Sequence, residues 1–156
     1  GGSLANNDPA ACYPAAALST GATIVTDSRE ISADDFFQGM FETALEESEI
    51  ILSVRFPVPS LSSYQKFVQP ASRFAMVGVF LSKFENETRV AITGASEEGV
   101  FRWREAERAL NEDFSEGSIT DFVLEPSGMI GDIHASKEYR AHLVKVMTKR
   151  AVKSAS

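Results

Sequence analysis

The sequence has little of several features that define common protein classes. It contains a single cysteine, Cys12, and two histidines among 156 residues. One thiol excludes an intramolecular disulfide and any cysteine-based metal cluster within the chain. The sequence shows neither a signal-peptide pattern nor an apolar run of about 20 residues, so we expect no membrane insertion. Low cysteine usage suits a reducing compartment, and we expect a cytoplasmic protein.

Positive charge is also scarce. Lysine and arginine number 15 against 22 aspartate and glutamate residues, which gives a formal net charge of −7 and a pI near 4.9. A protein that binds nucleic acid in general needs a basic surface that displaces counterions from the phosphates. The composition therefore argues against nucleic acid as a partner.

What the sequence does contain is enough apolar material for a folded core. Hydrophobic residues make up 44% of the chain, which includes 11 phenylalanines. A chain of this length buries roughly two-thirds of its unfolded surface. Short apolar runs alternate with helical periodicities, a pattern that predicts an α+β fold. Residues 57–63, rich in proline and serine, are predicted to separate two parts.

The first part is predicted to combine a helix with short strands. Asp8 and Pro9 resemble a helix start and precede an alanine-rich stretch. Pro14 fits that helix only if the helix begins late or is kinked. Residues 34–45 place apolar side chains on one helical face, although Gly39 weakens that interpretation. The predicted strands are residues 22–26, 29–31 and 49–56.

The second part is predicted to be a three-stranded antiparallel sheet packed with about three helices. The predicted strands are residues 64–68, 74–84 and 88–95. Residues 74–84 are apolar on both faces, which is typical of a central strand. The predicted helices are residues 103–110, 115–122 and 136–152.

The chain opens with the residues GGSLANNDPAACYPAAALSTGATIV. Gly1 and Gly2 would let the backbone approach a ligand closely, with amides free to donate to its oxygens. Ser3 adds a short polar donor. Taken alone, the same three residues are equally typical of a flexible linker.

Three further stretches extend this pattern along the chain. They read DDFFQGMFETALEESEIILSVRFP, KFVQPASRFAMVGVF and DIHASKEYRAHLVKVMTKRAV. With the opening, and in this order, they resemble the FAD-binding medium subunits of molybdenum hydroxylases, the family of carbon monoxide dehydrogenase and xanthine dehydrogenase. The resemblance implies that residues 1–60 are the remnant of the second FAD-binding subdomain and residues 61–156 the C-terminal domain. It also implies a truncated fragment, without the N-terminal subdomain that carries the other glycine-rich pyrophosphate loop.

The same resemblance implies which residues contact FAD. The best candidates are Gly1, Gly2 and Ser3. Cys12 stands where relatives often have an acidic residue that contacts the ribityl chain, and a thiol cannot accept hydrogen bonds as a carboxylate does. The alternative for Cys12, which we favour, is a small buried apolar residue.

Four more positions are carried over from the family. Ile50 and Ile51 correspond to aliphatic positions against the isoalloxazine ring, with plain strand core as the alternative. Lys66 and Phe74 lie in or beside a loop that approaches the ring in relatives. Phe74 could stack on the ring, or it could be the first residue of a buried strand.

The function implied by the resemblance is that of an oxidoreductase subunit. Its FAD would take electrons from the [2Fe–2S] clusters of a small subunit and pass them to an external acceptor, while a large subunit carries the molybdenum cofactor. Because the cofactor performs the chemistry, no catalytic acid, nucleophile or metal site is expected here.

A second hypothesis treats the chain as a flavin-free folded module that only binds other subunits. On either hypothesis we expect the isolated chain to be inactive. Without the rest of the flavin domain, we expect residues 1–10 to be poorly ordered or differently placed. We also expect exposed apolar residues and self-association into a homo-oligomer.

Overall fold

Short helices and strands make up the first part of the chain in a computed structural model that describes residues 1–155. The elements are helix α1 (Gly2–Asn6), helix α2 (Cys12–Thr20), strands β1 (Thr23–Thr26) and β2 (Glu30–Ser32), helix α3 (Ala33–Phe36), and strands β3 (Phe37–Gly39), β4 (Glu42–Thr43) and β5 (Ile51–Arg55). Strand β1 is the centre of an antiparallel sheet of order β2-β1-β5, and β3 pairs with β4 in a separate hairpin.

Helix α2 begins later than the sequence predicted. Asp8 does not cap it, because its carboxylate accepts a hydrogen bond from the amide of Ala10 at 2.8 Å and closes a turn instead. The helix starts at Cys12, so Pro14 lies in the first turn, where a missing N–H costs no intrahelical bond. Gly21, in the left-handed conformation at φ 63°, ends the helix.

The predicted helix over residues 34–45 is wrong. One helical turn, α3, forms before the chain enters the β3–β4 hairpin. The side-chain amide of Asn7 holds that hairpin by donating to the carbonyls of Gly39 and Glu42, at 2.7 and 3.0 Å. These contacts join residues far apart in sequence and outweigh the local helical periodicity.

Poor order in residues 1–10, one of the two alternatives expected for them, is also wrong, while a different placement stays a prediction. They contain α1, whose Leu4 is buried in a cluster with Leu18 and Ile24. The contacts of Asn7 add polar anchors. One buried leucine and one bridging amide therefore fix the segment against the rest of the chain.

The second part of the chain confirms the α+β class and adds one strand to the predicted sheet. Its elements are strands β6 (Leu61–Val68), β7 (Ala75–Lys83), β8 (Thr88–Ser96) and β9 (Gly99–Arg102), helices α4 (Arg104–Glu112) and α5 (Lys137–Ala155), and the 3₁₀ turns Gly117–Ile119 and Pro126–Gly128. The sheet is antiparallel in the order β6-β7-β8-β9, and β7 is central as predicted. The predicted helix at residues 115–122 shrinks to the first 3₁₀ turn.

The two central strands of this sheet are buried on both faces. Helices α4 and α5 cover one face, which we call the α5 face. Its residues are Val77, Val79, Leu81, Val90 and Ile92. Helix α2 covers the other, which we call the α2 face. By strand alternation its residues are Gly78, Phe80, Ser82, Arg89, Ala91 and Thr93.

Helix α2 thus packs directly on the sheet of the second part. The guanidinium of Arg89 donates to the carbonyl of Leu18 at 2.8 Å, and the hydroxyl of Ser19 donates to the carbonyl of Arg89 at 3.1 Å. The division into residues 1–60 and 61–156 stays a prediction. Among residues 1–155, none of the helices has both the length and the apolar composition needed to cross a bilayer.

Candidate functional site

A cleft opens where the loop before α2 meets strand β6 and the turn between β6 and β7. Its volume is about 440 Å³, within the range of small-molecule pockets. It is lined by Ser3, Ala10, Ala11, Cys12, Tyr13, Lys66, Ser72, Arg73 and Phe74. The fold therefore brings four of the predicted residues, Ser3, Cys12, Lys66 and Phe74, around one space.

The charge of this cleft is opposite to that of the whole chain. Lys66 and Arg73 line it, and its lining includes no carboxylate, although the chain carries a net charge of −7. Two cations without a neutralising partner in the lining create a locally positive potential. The cleft is therefore suited to an anionic ligand.

One wall of the cleft joins Cys12 to strand β6. The ammonium of Lys66 lies 3.6 Å from the sulfur of Cys12, and Tyr64 stands two residues before Lys66 on the same face of the strand. Burial raises the pKa of Tyr64, and interaction with Cys12 raises it further, so this phenol stays neutral. Cys12 begins α2 but is half-buried and lines the cleft, so the buried apolar position that we favoured for it is wrong.

Two exposed aromatic side chains also line the cleft. Tyr13 is 69% exposed and Phe74 is 53% exposed. Phe74 precedes strand β7, which begins at Ala75, so the alternative that it starts a buried strand is wrong. Arg73 beside it has φ 62°, a conformation costly for a non-glycine residue. Its amide donates to the carbonyl of Gln69 at 2.9 Å, which closes the turn.

Gly1 and Gly2 lie near the cleft but do not line it. Gly2 begins α1 rather than a loop, and a Cβ at Gly2 would meet no atom within 4 Å. A Cβ at Gly1 would lie 3.6 Å from the Cβ of Ile51, an ordinary contact. The packing of the chain itself therefore requires neither glycine, and their predicted contact with a ligand stays a prediction.

Ile50 and Ile51 also lie outside the cleft lining. Ile50 is 62% exposed, and its amide donates to the carboxylate of Asp27 at 3.0 Å. Ile51 is half-buried and packs against the apolar cluster of the first part. For Ile51 the structure favours the strand-core alternative, while the exposed side chain of Ile50 remains free to contact a ligand or a partner.

Comparison with known proteins relates the chain to a family of flavin-binding subunits. Residues 1–59 match the family described as the FAD binding domain in molybdopterin dehydrogenase. The chain is 29% identical to the glyceraldehyde dehydrogenase medium chain of Sulfolobus acidocaldarius over 98% of its length. It is 31% identical to the nicotine 6-hydroxylase medium subunit of Paenarthrobacter nicotinovorans over 97% of its length. Over nearly its whole length, the chain is therefore similar to the FAD-binding medium subunits of molybdenum hydroxylases.

Solved structures agree with this assignment. Carbon monoxide dehydrogenase from Oligotropha carboxidovorans superposes with a TM-score of 0.85 at 26% identity, over 99% of this chain and 59% of that chain. The chain spans 59% and 58% of the length of the two curated medium subunits named above. The resemblance found in the sequence is therefore confirmed, for part of such a subunit.

Some lining residues of the cleft were not predicted from the sequence. Tyr13, Ser72 and Arg73 belong to it, but their place depends on the late start of α2 and on the turn before β7. The position of Tyr64 could have been predicted, because it lies two residues before Lys66 in a predicted strand and therefore shares its face.

Proposed function

We propose that this chain forms part of the FAD-binding electron-transfer subunit of a molybdenum hydroxylase. The observation that carries the proposal is the cleft lined by Ser3, Cys12, Lys66 and Phe74. It lies where the segment that matches the FAD-binding family, residues 1–59, meets the four-stranded sheet. The charge of the lining supports a phosphorylated cofactor.

The residues of the cleft suit the parts of FAD. The exposed rings of Tyr13 and Phe74 offer flat apolar surface for an aromatic group. Lys66 and Arg73 would attract the phosphates or an electron-rich ring edge, and the open space beside Gly2 leaves room for a ligand. When bound, FAD supplies the redox chemistry, and the protein orients it and tunes its electrostatic environment.

The remaining features of the enzyme follow from this assignment as proposals. Electrons would reach the FAD from the [2Fe–2S] clusters of a small subunit and leave to an external acceptor in the cytoplasm. A large subunit with the molybdenum cofactor would select the substrate. The isolated chain would then bind cofactor and partners without catalysing a reaction of its own.

A flavin titration of the purified chain tests the proposal. We expect saturable quenching of FAD fluorescence and a shift of the flavin absorbance bands. Lys66→Met should weaken binding by about tenfold, since a charge-assisted contact is lost. The matched control is Lys153→Met, which removes an exposed ammonium near the end of α5 and should leave the affinity unchanged. Absence of FAD binding by a chain that still unfolds cooperatively would contradict the proposal.

The alternative function, a flavin-free module that binds other subunits, is favoured by one observation. Ile50, Leu52, Phe56 and Val58 are between 51% and 89% exposed, and they lie in or beside β5, an edge strand that pairs with β1. Exposed apolar residues on a free strand edge are typical of an interaction surface. Light scattering across a concentration series tests whether copies of the chain associate there, and Leu52→Lys should abolish association.

A further inference from the structure

Strand β8 contains an irregularity beside the cleft. Its pairing with β9 shifts register between Ile92 and Ser96, and Gly94 within that interval has φ 81°. A Cβ at Gly94 would lie 2.5 Å from the carbonyl oxygen of Ala75, so only glycine fits. Bulges of this kind free backbone groups from the ladder and often occur beside functional sites.

The freed donors hold the loop that forms one wall of the cleft. The amide of Gly94 donates to the carbonyl of Pro9 at 2.6 Å. The hydroxyl of Thr93 lies 2.7 Å from the carbonyl oxygens of both Pro9 and Ala11, which share its single proton. Thr93 is fully buried. Because Ala11 lines the cleft, the position of that wall depends on these two donors.

A buried cation fixes the irregularity from the opposite face of the sheet. Arg140 of α5 is 2% exposed, and its guanidinium donates to the carbonyls of Met76 and Gly94 at 2.6 and 2.8 Å. It also pairs with Asp132 at 2.6 Å. A continuous set of hydrogen bonds therefore runs from α5 through the bulge to the loop of residues 9–11.

We infer that Thr93 is a positioning residue for the cleft. Its hydroxyl holds residues 9–11 against the sheet and thereby sets the place of Cys12 and of the cleft wall. The consequence for cofactor affinity rests on the function proposed above. The anchoring of the loop by Thr93 is independent of that function, and it can be measured without any ligand.

Two substitutions at one position separate the hydroxyl from the shape of the side chain. Thr93→Val keeps the branched shape and removes the donor, whereas Thr93→Ser keeps the donor. Thr148→Val is the matched control, because Thr148 is also fully buried and its hydroxyl donates to the carbonyl of Val144 within α5. Cys12, the single cysteine, supplies the readout through its rate of alkylation by iodoacetamide.

We expect Thr93→Val to raise the alkylation rate of Cys12 by about tenfold, since the carbonyls of Pro9 and Ala11 lose the hydroxyl that they share and the loop opens, although Pro9 keeps the amide of Gly94. The affinity for FAD should fall by a similar factor. Thr93→Ser and Thr148→Val should alkylate at close to the wild-type rate.

The outcomes test the positioning role of Thr93 separately from the proposed binding of FAD. A wild-type alkylation rate in Thr93→Val, or an equal increase in Thr148→Val, would overturn the positioning role. If wild type binds no FAD but Thr93→Val still alkylates faster, the proposed function fails and the positioning role stands. Hydrogen exchange adds a check without substitution. The Gly94 amide should be as protected as the amide of Val79 in the central strand, and free exchange would overturn the anchoring.

Discussion

The two faces of the four-stranded sheet differ in what they contribute. The α5 face presents aliphatic side chains such as Val79 and Leu81, which are fully buried against α4 and α5. The α2 face presents Ser82, Arg89 and Thr93, whose polar atoms contact the backbone or side chains of the first part. Burial of aliphatic surface gives stability without direction, whereas hydrogen bonds fix positions. One face therefore stabilises the fold and the other places the parts around the cleft.

The α2 face also carries a network of charges. Arg89 and Arg102, whose side chains are 8% and 7% exposed, both pair with Asp34 of α3. Arg102 pairs in addition with Glu107 of α4 at 2.7 Å. This network links α3 to the sheet and to α4. Removal of Asp34 would take one carboxylate from two buried arginines, of which Arg102 keeps Glu107 and Arg89 keeps Glu87.

The largest expected effect comes from the α5 face. Leu81→Ala removes a fully buried side chain and should lower the free energy of unfolding by about 2–5 kcal/mol. Urea denaturation followed by circular dichroism measures it. A loss below about 1 kcal/mol would mean that the face relaxes around the cavity, which contradicts its assignment as the stabilising side.

An intermediate effect is expected for Asp34→Asn. Burial alone would raise the pKa of Asp34, but hydrogen bonds from Arg89 and Arg102 outweigh it, and the pKa lies below 3.8. A carboxylate with a lowered pKa stabilises the fold above its unfolded pKa, and this contribution is lost as pH falls through the folded value.

Near neutral pH the substitution should therefore cost about 1 kcal/mol, a modest figure because the carboxylate is partly solvated. The difference between wild type and Asp34→Asn should shrink as the pH falls below 3.8. Urea denaturation at neutral and acidic pH measures both quantities, and a difference that does not change with pH would show that the charge of Asp34 is not responsible.

The smallest effect is expected for Ser82→Ala. Ser82 follows Leu81 but points to the α2 face, where Ser19 donates to it at 3.0 Å. Ser19 keeps the carbonyl of Arg89 as an acceptor at 3.1 Å, so the change should stay within about 0.5 kcal/mol. Comparing the denaturation curves of Leu81→Ala and Ser82→Ala tests the two faces at adjacent positions. Equal losses in the free energy of unfolding would contradict the difference between the two faces.

The sequence predicted those features that depend on local pattern. The apolar run over residues 74–84 identified the central strand, because burial on both faces leaves a continuous signal. Strand β9 was missed because its four residues are too short for a period to show. The hairpin after Phe36 was mistaken for a helix because the amide of Asn7, distant in sequence, decides its conformation.

The cleft was predicted only in part for a similar reason. Lys66 and Phe74 were predicted from the family resemblance. Arg73 lines the cleft because of a left-handed backbone conformation that the sequence pattern does not predict. Thr93 was missed because its function depends on a register shift in β8. A buried threonine in a strand otherwise looks like any other residue of a sheet.

The chain contains one tryptophan and one cysteine, and the fold separates them. Trp103, 3% exposed, packs with Phe122 in the apolar cluster beneath α5, while Cys12 lies at the start of α2 beside the cleft. The molecule therefore carries a native fluorophore on one side of the sheet and a native labelling position on the other. Energy transfer from the indole to a dye on the thiol would follow the separation of the two layers in real time, without any engineered probe.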